Sequence, residues 1–290
     1  MRRLLVFALG VGLLLSIAPL FAQADAPIYL VVRGELMQTT PGALALDPVA
    51  ACALPADERY IGAPVISPDG RLLALKLQPA LLSEALARVG DFAGGEYPSD
   101  LLICDPQAGI TARFGQPADA ALFDPAGRPD SFTIHSTPAW SPDSAALTWT
   151  ECGPGCEPIA LRVHTLATGE TRTLAPIEPQ YGVPVSVPVA WEGPLILVYS
   201  DTWDAASSAG KQQLLGFDPA SGAASLDASI PAGSDFSYVV AFFWIEANGT
   251  AQIAVLRSSG AWLQIDPVTG QQSLLGGALE RVSRNAPDGV

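Results

Sequence analysis

From Ile28 onward the chain alternates short apolar runs with polar positions at a period near two, and breaks rich in Gly, Pro, Asp and Ser interrupt it every few residues. That period marks half-buried β-strands joined by tight turns. The clearest stretch is 138–150. It predicts a short strand ending at Trp140, a turn on Ser141, Pro142, Asp143 and Ser144, and a second strand over 145–150. Proline at the second turn position presets φ, while Asp and Ser close the turn with their side chains. The same order occurs at 63–75, with Ser67, Pro68, Asp69 and Gly70 in the turn, and weaker copies follow at 189–197 and 242–250. A hairpin that recurs in this way predicts a repeat architecture.

A second kind of hairpin follows each of the first. Its turn reads Asp105-Pro106 to Gly109, Thr165 to Gly169, Asp218-Pro219 to Gly222, and Asp266-Pro267 to Gly270. Each is preceded by alternating apolar residues and followed by a short Leu-containing strand. These glycines recur at intervals of roughly 50 to 60 residues, the size of one β-propeller blade with its loops.

The two turns together resemble the WD-repeat-like β-propeller repeats of the TolB type, in which a Ser-Pro-Asp-Gly turn joins the inner strands and an Asp-x-x-Thr-Gly-like turn the outer ones. The match is sharpest at Ser67 to Gly70, Ser141 to Asp143, Thr168-Gly169 and Thr269-Gly270, and spreads over most of 27–277. It lapses at Glu192-Gly193, at 245–249, and in the first unit, where no Gly follows Asp47-Pro48. The resemblance implies an all-β fold, a β-propeller. Four full units fall at about 63–115, 137–174, 187–227 and 238–276. The N-terminal unit offers a hairpin of 28–32 and 35–38 about Arg33-Gly34, then a third strand around 51–53, and lacks an innermost strand. The tail 280–289 ends on a near-copy of the first turn. The expectation is five four-stranded blades, closed by pairing of the C-terminal strand, Val282 to Arg284, with the N-terminal blade.

Strand order sorts the loops. Turns between first and second strands, and between third and fourth, share one rim. The other connections share the opposite rim, and these are long: 78–99, 116–136, 175–186, 201–210 and 228–237. Long loops on a rigid frame are common seats of binding. This rim carries aromatics (Tyr60, Phe92, Tyr97, Phe123, Tyr181, Trp203, Phe236) among many acids, including Asp57, Glu58, Asp100 and Glu151. The candidate binding residues are Tyr97, Tyr181, Asp201, Trp203, Asp204, Asp235 and Phe236.

Composition narrows the partners. The 290 residues carry 29 acidic against 15 basic side chains, a formal charge of −14. Such a surface repels phosphate backbones and argues against nucleic acid. It suits a basic protein surface, with a glycan as the other candidate; acidity that serves only solubility is the plainer reading. At the N-terminus Arg2 and Arg3 precede an apolar run over 4–21 and Ala22-Gln23-Ala24. These are the parts of an export signal cleaved after Ala24, leaving a single domain over 25–290, with no stable membrane insertion, in the periplasm or outside the cell. An uncleaved membrane anchor is the alternative.

Four cysteines in an exported chain predict two disulfides. Cys152 and Cys156 flank Gly-Pro-Gly as a self-closed loop, which leaves Cys52 with Cys104. Zinc is the rival reading, but the spacing matches no zinc pattern, and no metal or other cofactor is expected.

The sequence has no G-x-S-x-G, H-E-x-x-H or P-loop, and its two histidines are His135 and His164. His164 reads as a packed third-strand residue, and His135 precedes an innermost strand. Trp140, Trp191 and Trp244 recur at one blade position, where packing between blades explains them. Asp69 and Asp143 sit in turns and are explained by capping. The reading is an exported non-catalytic binding module. The alternative is an extracellular glycan hydrolase or lyase of the five-bladed type, which needs convergent carboxylates.

Overall fold

The structure is a computed structural model that describes residues 26–82, 99–115, 133–152, 159–177, 189–204, 209–230, 239–247, 250–257 and 260–274. These form five antiparallel sheets in chain order. The first holds β1 (Ile28–Val32), β2 (Glu35–Thr39) and β3 (Asp47–Pro48). The second holds β4 (Glu58–Ile66), β5 (Leu73–Pro79), β6 (Asp100–Asp105) and β7 (Gly109–Phe114). In the third, the innermost strand is split into β8 (Ile134–His135) and β9 (Ala139–Trp140), both paired with β10 (Ala146–Cys152). Then come β11 (Ile159–Thr165) and β12 (Glu170–Ile177). The fourth holds β13 (Val189–Glu192), β14 (Leu195–Asp204), β15 (Ala209–Phe217) and β16 (Ala224–Ile230). The fifth holds β17 (Val239–Ala247), β18 (Thr250–Arg257), β19 (Trp262–Ile265) and β20 (Gln272–Leu274).

Period-two alternation packs these sheets face to face. Along β5, Leu73, Leu75 and Leu77 join a core with Leu36, Val49 and Tyr60 from the first sheet's side. Ala74, between them, joins the opposite core with Leu147 and Trp149 of the third sheet. The same division recurs in β14: Ile196 and Val198 face the third sheet, Leu197 and Tyr199 the fifth. Middle strands are therefore apolar at consecutive positions, as expected where both faces are covered. Each fully buried Leu or Ile contributes roughly 1.5–3 kcal/mol by leaving water.

The inner turns match bond for bond. Ser67 Oγ donates to Asp69 Oδ1 at 2.6 Å and accepts from the Leu72 N–H at 2.9 Å; Ser141 Oγ donates to Asp143 Oδ1 at 2.6 Å and accepts from the Ala146 N–H at 2.8 Å. Those serine hydroxyls hold both carboxyls below the usual carboxylate range. The fourth turn residue is left-handed in both, Gly70 at φ 74° and Ser144 at φ 60°. Ser144 takes that unfavourable conformation while its Oγ accepts from the Asp69 N–H at 3.0 Å, tying neighbouring sheets together. The outer turns are Asx turns. Asp105, Asp218 and Asp266 each accept two backbone N–H groups, and glycines at 109, 169, 222 and 270 close the hairpins at positive φ.

Several expectations change. Residues 50–52 form a 3-10 turn rather than a strand, and the outer strand is the short β3, which pairs Asp47 with Gln38. The Cys52 N–H donates to Val49 O at 3.0 Å, and the Cys52 side chain is bonded to Cys104, so this segment leaves the sheet to reach the next one. Residues 201–204, 209–210, 175–177 and 228–230 are strand, not loop, because the cross-strand ladders continue through them. The weak turn at Glu192-Gly193 still closes a hairpin, with Gly193 at φ 54°. Residues 282–284 lie outside the described residues.

Candidate functional site

Of the candidate binding residues, Asp201, Trp203 and Asp204 fall in the last part of β14, in register with Gln212, Gly210 and Ala209 of β15. Asp201 lies where β16 still flanks β15, and 202–204 form a short two-stranded extension with 209–211, at the end of the fourth sheet where the second-to-third connections lie. Tyr97, Tyr181, Asp235, Phe236 and Cys156 lie outside the described residues. Tyr60, counted among the rim aromatics, is 3% exposed. Its hydroxyl donates to Cys52 O at 2.5 Å, and burial pushes its pKa up to about 12. It is therefore a core clamp rather than a binding aromatic.

Three rim acids are likewise committed to partners. Asp100, at the start of β6, accepts from Arg113 Nε at 3.0 Å and Nη2 at 2.6 Å, and the same Nη2 bonds Glu58 Oε1 at 2.8 Å. Burial raises the Asp100 pKa and outweighs the guanidinium beside it. Glu151, near the end of β10, accepts from Arg162 Nη2 at 3.0 Å and from Trp149 Nε1 at 3.4 Å. Between these groups sits His135, 1% exposed. Its Nδ1 donates to Ser99 O, which leaves Nε2 unprotonated in the neutral ring, 3.7 Å from Glu151 Oε2. Lys76 Nζ donates to His135 O at 2.8 Å.

Burial lowers the His135 pKa, with Lys76 and Arg162 adding to that effect and the Ser99 carbonyl and Glu151 opposing it. Within this polar ladder, the bond from His135 to Ser99 O, with that from Lys76 to the His135 carbonyl, ties the second sheet to the third. His164 is also structural. It is 5% exposed, bonded to Thr171 Oγ1 at 2.9 Å and edge-on to Phe114 at 4.7 Å. Trp140 donates from Nε1 to Val65 O at 2.9 Å, and Trp244 packs over Gly193, so both span neighbouring sheets.

The ladder's cations went unread in the sequence. Lys76, Arg113 and Arg162 each interrupt an apolar alternation inside a strand, and that interruption was the available signal. Among the described residues no three His, Cys, Asp or Glu side chains gather as metal ligands. Cys52 and Cys104 form a disulfide with Cα atoms 6.0 Å apart. Cys152 is also disulfide-bonded. No helix among the described residues is long and apolar enough to cross a membrane.

No family model matches the chain, and no curated protein matches it. Solved structures do. A protein designated a dipeptidyl aminopeptidase IV from Bacteroides ovatus superposes with a TM-score of 0.50 at 16% identity, covering 87% of this chain and 40% of that one. TolB from Acinetobacter baumannii gives 0.45 at 14% identity over 87% of this chain and 52% of that one. The β-propeller domain of the Trilobed protease from Pyrococcus furiosus gives 0.44 at 11% identity over 78% and 59%. The chain thus spans from about two fifths to three fifths of the length of these three. At such identities the likeness is one of fold. The five antiparallel sheets packed face to face in chain order make this an all-β protein of propeller-like build.

Proposed function

We propose that this chain is an exported, non-catalytic binding module. Residues 25–290 form one domain after cleavage of 1–24, with five blades closed by Val282 to Arg284 beside β1. Its acidic, aromatic loop rim takes a basic protein surface, through Tyr97, Tyr181, Asp201, Trp203, Asp204, Asp235 and Phe236. The observation that carries the reading is the structural use of the catalytic-type groups described above. Both histidines are sealed in inter-sheet contacts, and Glu58, Asp100 and Glu151 are held by guanidinium groups. The disulfide between Cys52 and Cys104 accords with an oxidising compartment.

The test replaces Asp201, Asp204 and Asp235 with Asn and Trp203 with Ala. Partners captured by the wild-type protein from the native exported fraction should be lost, while the melting temperature holds within a degree or two. Capture that survives these changes and is lost when the tight-turn rim is altered assigns the working face to the other end. The glycan hydrolase or lyase reading has one observation in its favour: Glu58 and Asp100 meet at a single Arg113 nitrogen, and the Asp100 pKa is raised. Release of reducing sugar by the wild type, abolished in Glu58→Gln and Asp100→Asn, would establish it over the binding module.

A further inference from the structure

The Arg33-Gly34 turn and the chain leading from β3 into β4 enclose a cavity of about 390 Å³. Arg33, Glu35, Leu36, Leu54, Glu58 and Arg59 line it. Its volume falls in the range of small-ligand sites. Arg33 and Gly34 are both left-handed, at φ 54° and 84°. Asn-Gly or Gly-Gly suits such a hairpin turn, and Arg at the first position gains nothing from the backbone conformation it must adopt.

Gly34 has a definite steric reason. A Cβ there would lie 3.0 Å from Arg59 Cβ and 3.2 Å from its Cγ, so the bare backbone lets the Arg59 stem lie across the turn. The Tyr60 N–H fixes that approach by donating to Gly34 O at 3.0 Å. Two guanidinium-bearing side chains are thereby brought to one cavity. Both residues are exposed, and among the described residues neither is held in an ion pair. Glu58, the nearest acid in sequence to Arg59, is engaged by Arg113.

We propose that this cavity binds a monoanionic carboxylate carrying a short aliphatic group, as at the C-terminus of a peptide ending in leucine or valine. The guanidinium groups match a carboxylate in charge and in their fork of donors. Leu36 and Leu54 supply an apolar wall for the aliphatic group. Glu35 in the same lining disfavours a dianion relative to a monoanion, so inorganic phosphate should bind more weakly. The site does not depend on the number of blades or on what the loop rim binds.

Calorimetric titration of the full-length exported protein with N-acetyl-leucine, N-acetyl-leucinamide and inorganic phosphate tests this. N-acetyl-leucine should bind, and the amide and phosphate should each be weaker by about tenfold or more. Arg33→Asn and Arg59→Gln should each weaken N-acetyl-leucine by about tenfold. Arg33→Asn is the decisive variant, because Asn suits the turn: its melting temperature should hold or rise while binding falls. The proposal is overturned if N-acetyl-leucine shows no binding up to about 10 mM. It is equally overturned if the amide or phosphate binds as well, or if neither arginine variant changes the affinity.

Discussion

Removing the bond between Cys52 and Cys104 tests how the first sheet is held to the second. The bond joins residues 52 apart in sequence, and both side chains are fully buried. The chain-entropy relation for a loop of that size gives about 4 kcal/mol of stabilisation at 25 °C, all of it from restriction of the unfolded chain. At roughly 2–4 °C per kcal/mol for a chain of this size, the melting temperature should fall by about 8–16 °C. The perturbation has to spare the packing, because Cys→Ala would add a cavity cost in the core around Leu73 and Leu102. Reduction removes no atoms. The measurement is therefore made in a Cys152→Ala/Cys156→Ala background, refolded with and without reductant and unfolded in urea. Hydrogen exchange adds a local readout: amides of β1 and β2 should lose protection before those of the third to fifth sheets. A stability loss below about 1 kcal/mol would refute the reasoning, since an unfolded chain freed of a 52-residue constraint must gain more entropy than that. So would a loss of protection spread evenly over all five sheets.

Trp140→Phe keeps most of the buried ring but leaves Val65 O without its 2.9 Å donor, and urea unfolding should show a loss of about 1–2 kcal/mol. His135 is buried neutral with a lowered pKa, so below its unfolded value of about 6.5 the unfolded chain takes up a proton that the native fold refuses. Stability should fall as pH drops from about 7 to 5, by at most about 1.4 kcal/mol per pH unit from this residue, and His135→Gln should flatten that limb of a urea-midpoint series. Gly169→Ala and Gly222→Ala impose similar left-handed strain, at φ 67° and 75°, but a Cβ at 169 meets nothing within 4 Å while one at 222 runs into the Leu174 carbonyl oxygen. The first should cost about 1–2 kcal/mol and the second distinctly more; equal losses would remove the close approach of sheets as the cause.

The legible parts of this fold are those whose determinants lie within a few residues. Both hairpin turns are read from Ser, Asp and Gly at fixed offsets, because the hydroxyl, the carboxylate and the amides they bind are all neighbours in sequence. The place of Trp140 between sheets follows from the recurrence of Trp beside three of the four inner turns, at 140, 191 and 244. What escaped reading depends on distant partners. The departure of 50–52 from the first sheet goes with the Cys52 to Cys104 bond, a pairing read from the cysteines whose consequence for the local backbone nothing near Ala51 announces. The extension of β14 through Asp201 to Asp204 runs against composition, since Asp and Ser are poor strand formers. Its four pairs with β15 continue an unbroken run of nine that begins at Ile196.

The same distinction bears on the candidate site. Place in the sequence alone puts these acids on the rim, as if each carried its charge into solvent. Glu58, Asp100 and Glu151 do not, because Arg113 and Arg162 lie beside them, reached from strands that only the fold brings near. Opposite charges within 3 Å cancel much of each other's field beyond a Debye length, so this ladder adds little to the attraction of a distant basic surface. Asp201 and Asp204 lie outside the ladder, at the far end of a hairpin that continues past the buried stretch from Ile196 to Ser200. The ladder's ion pairs join strands within one sheet, Arg113 to Glu58 and Asp100 in the second and Arg162 to Glu151 in the third, while the bonds from His135 to Ser99 O and from Lys76 to His135 O tie the two sheets together.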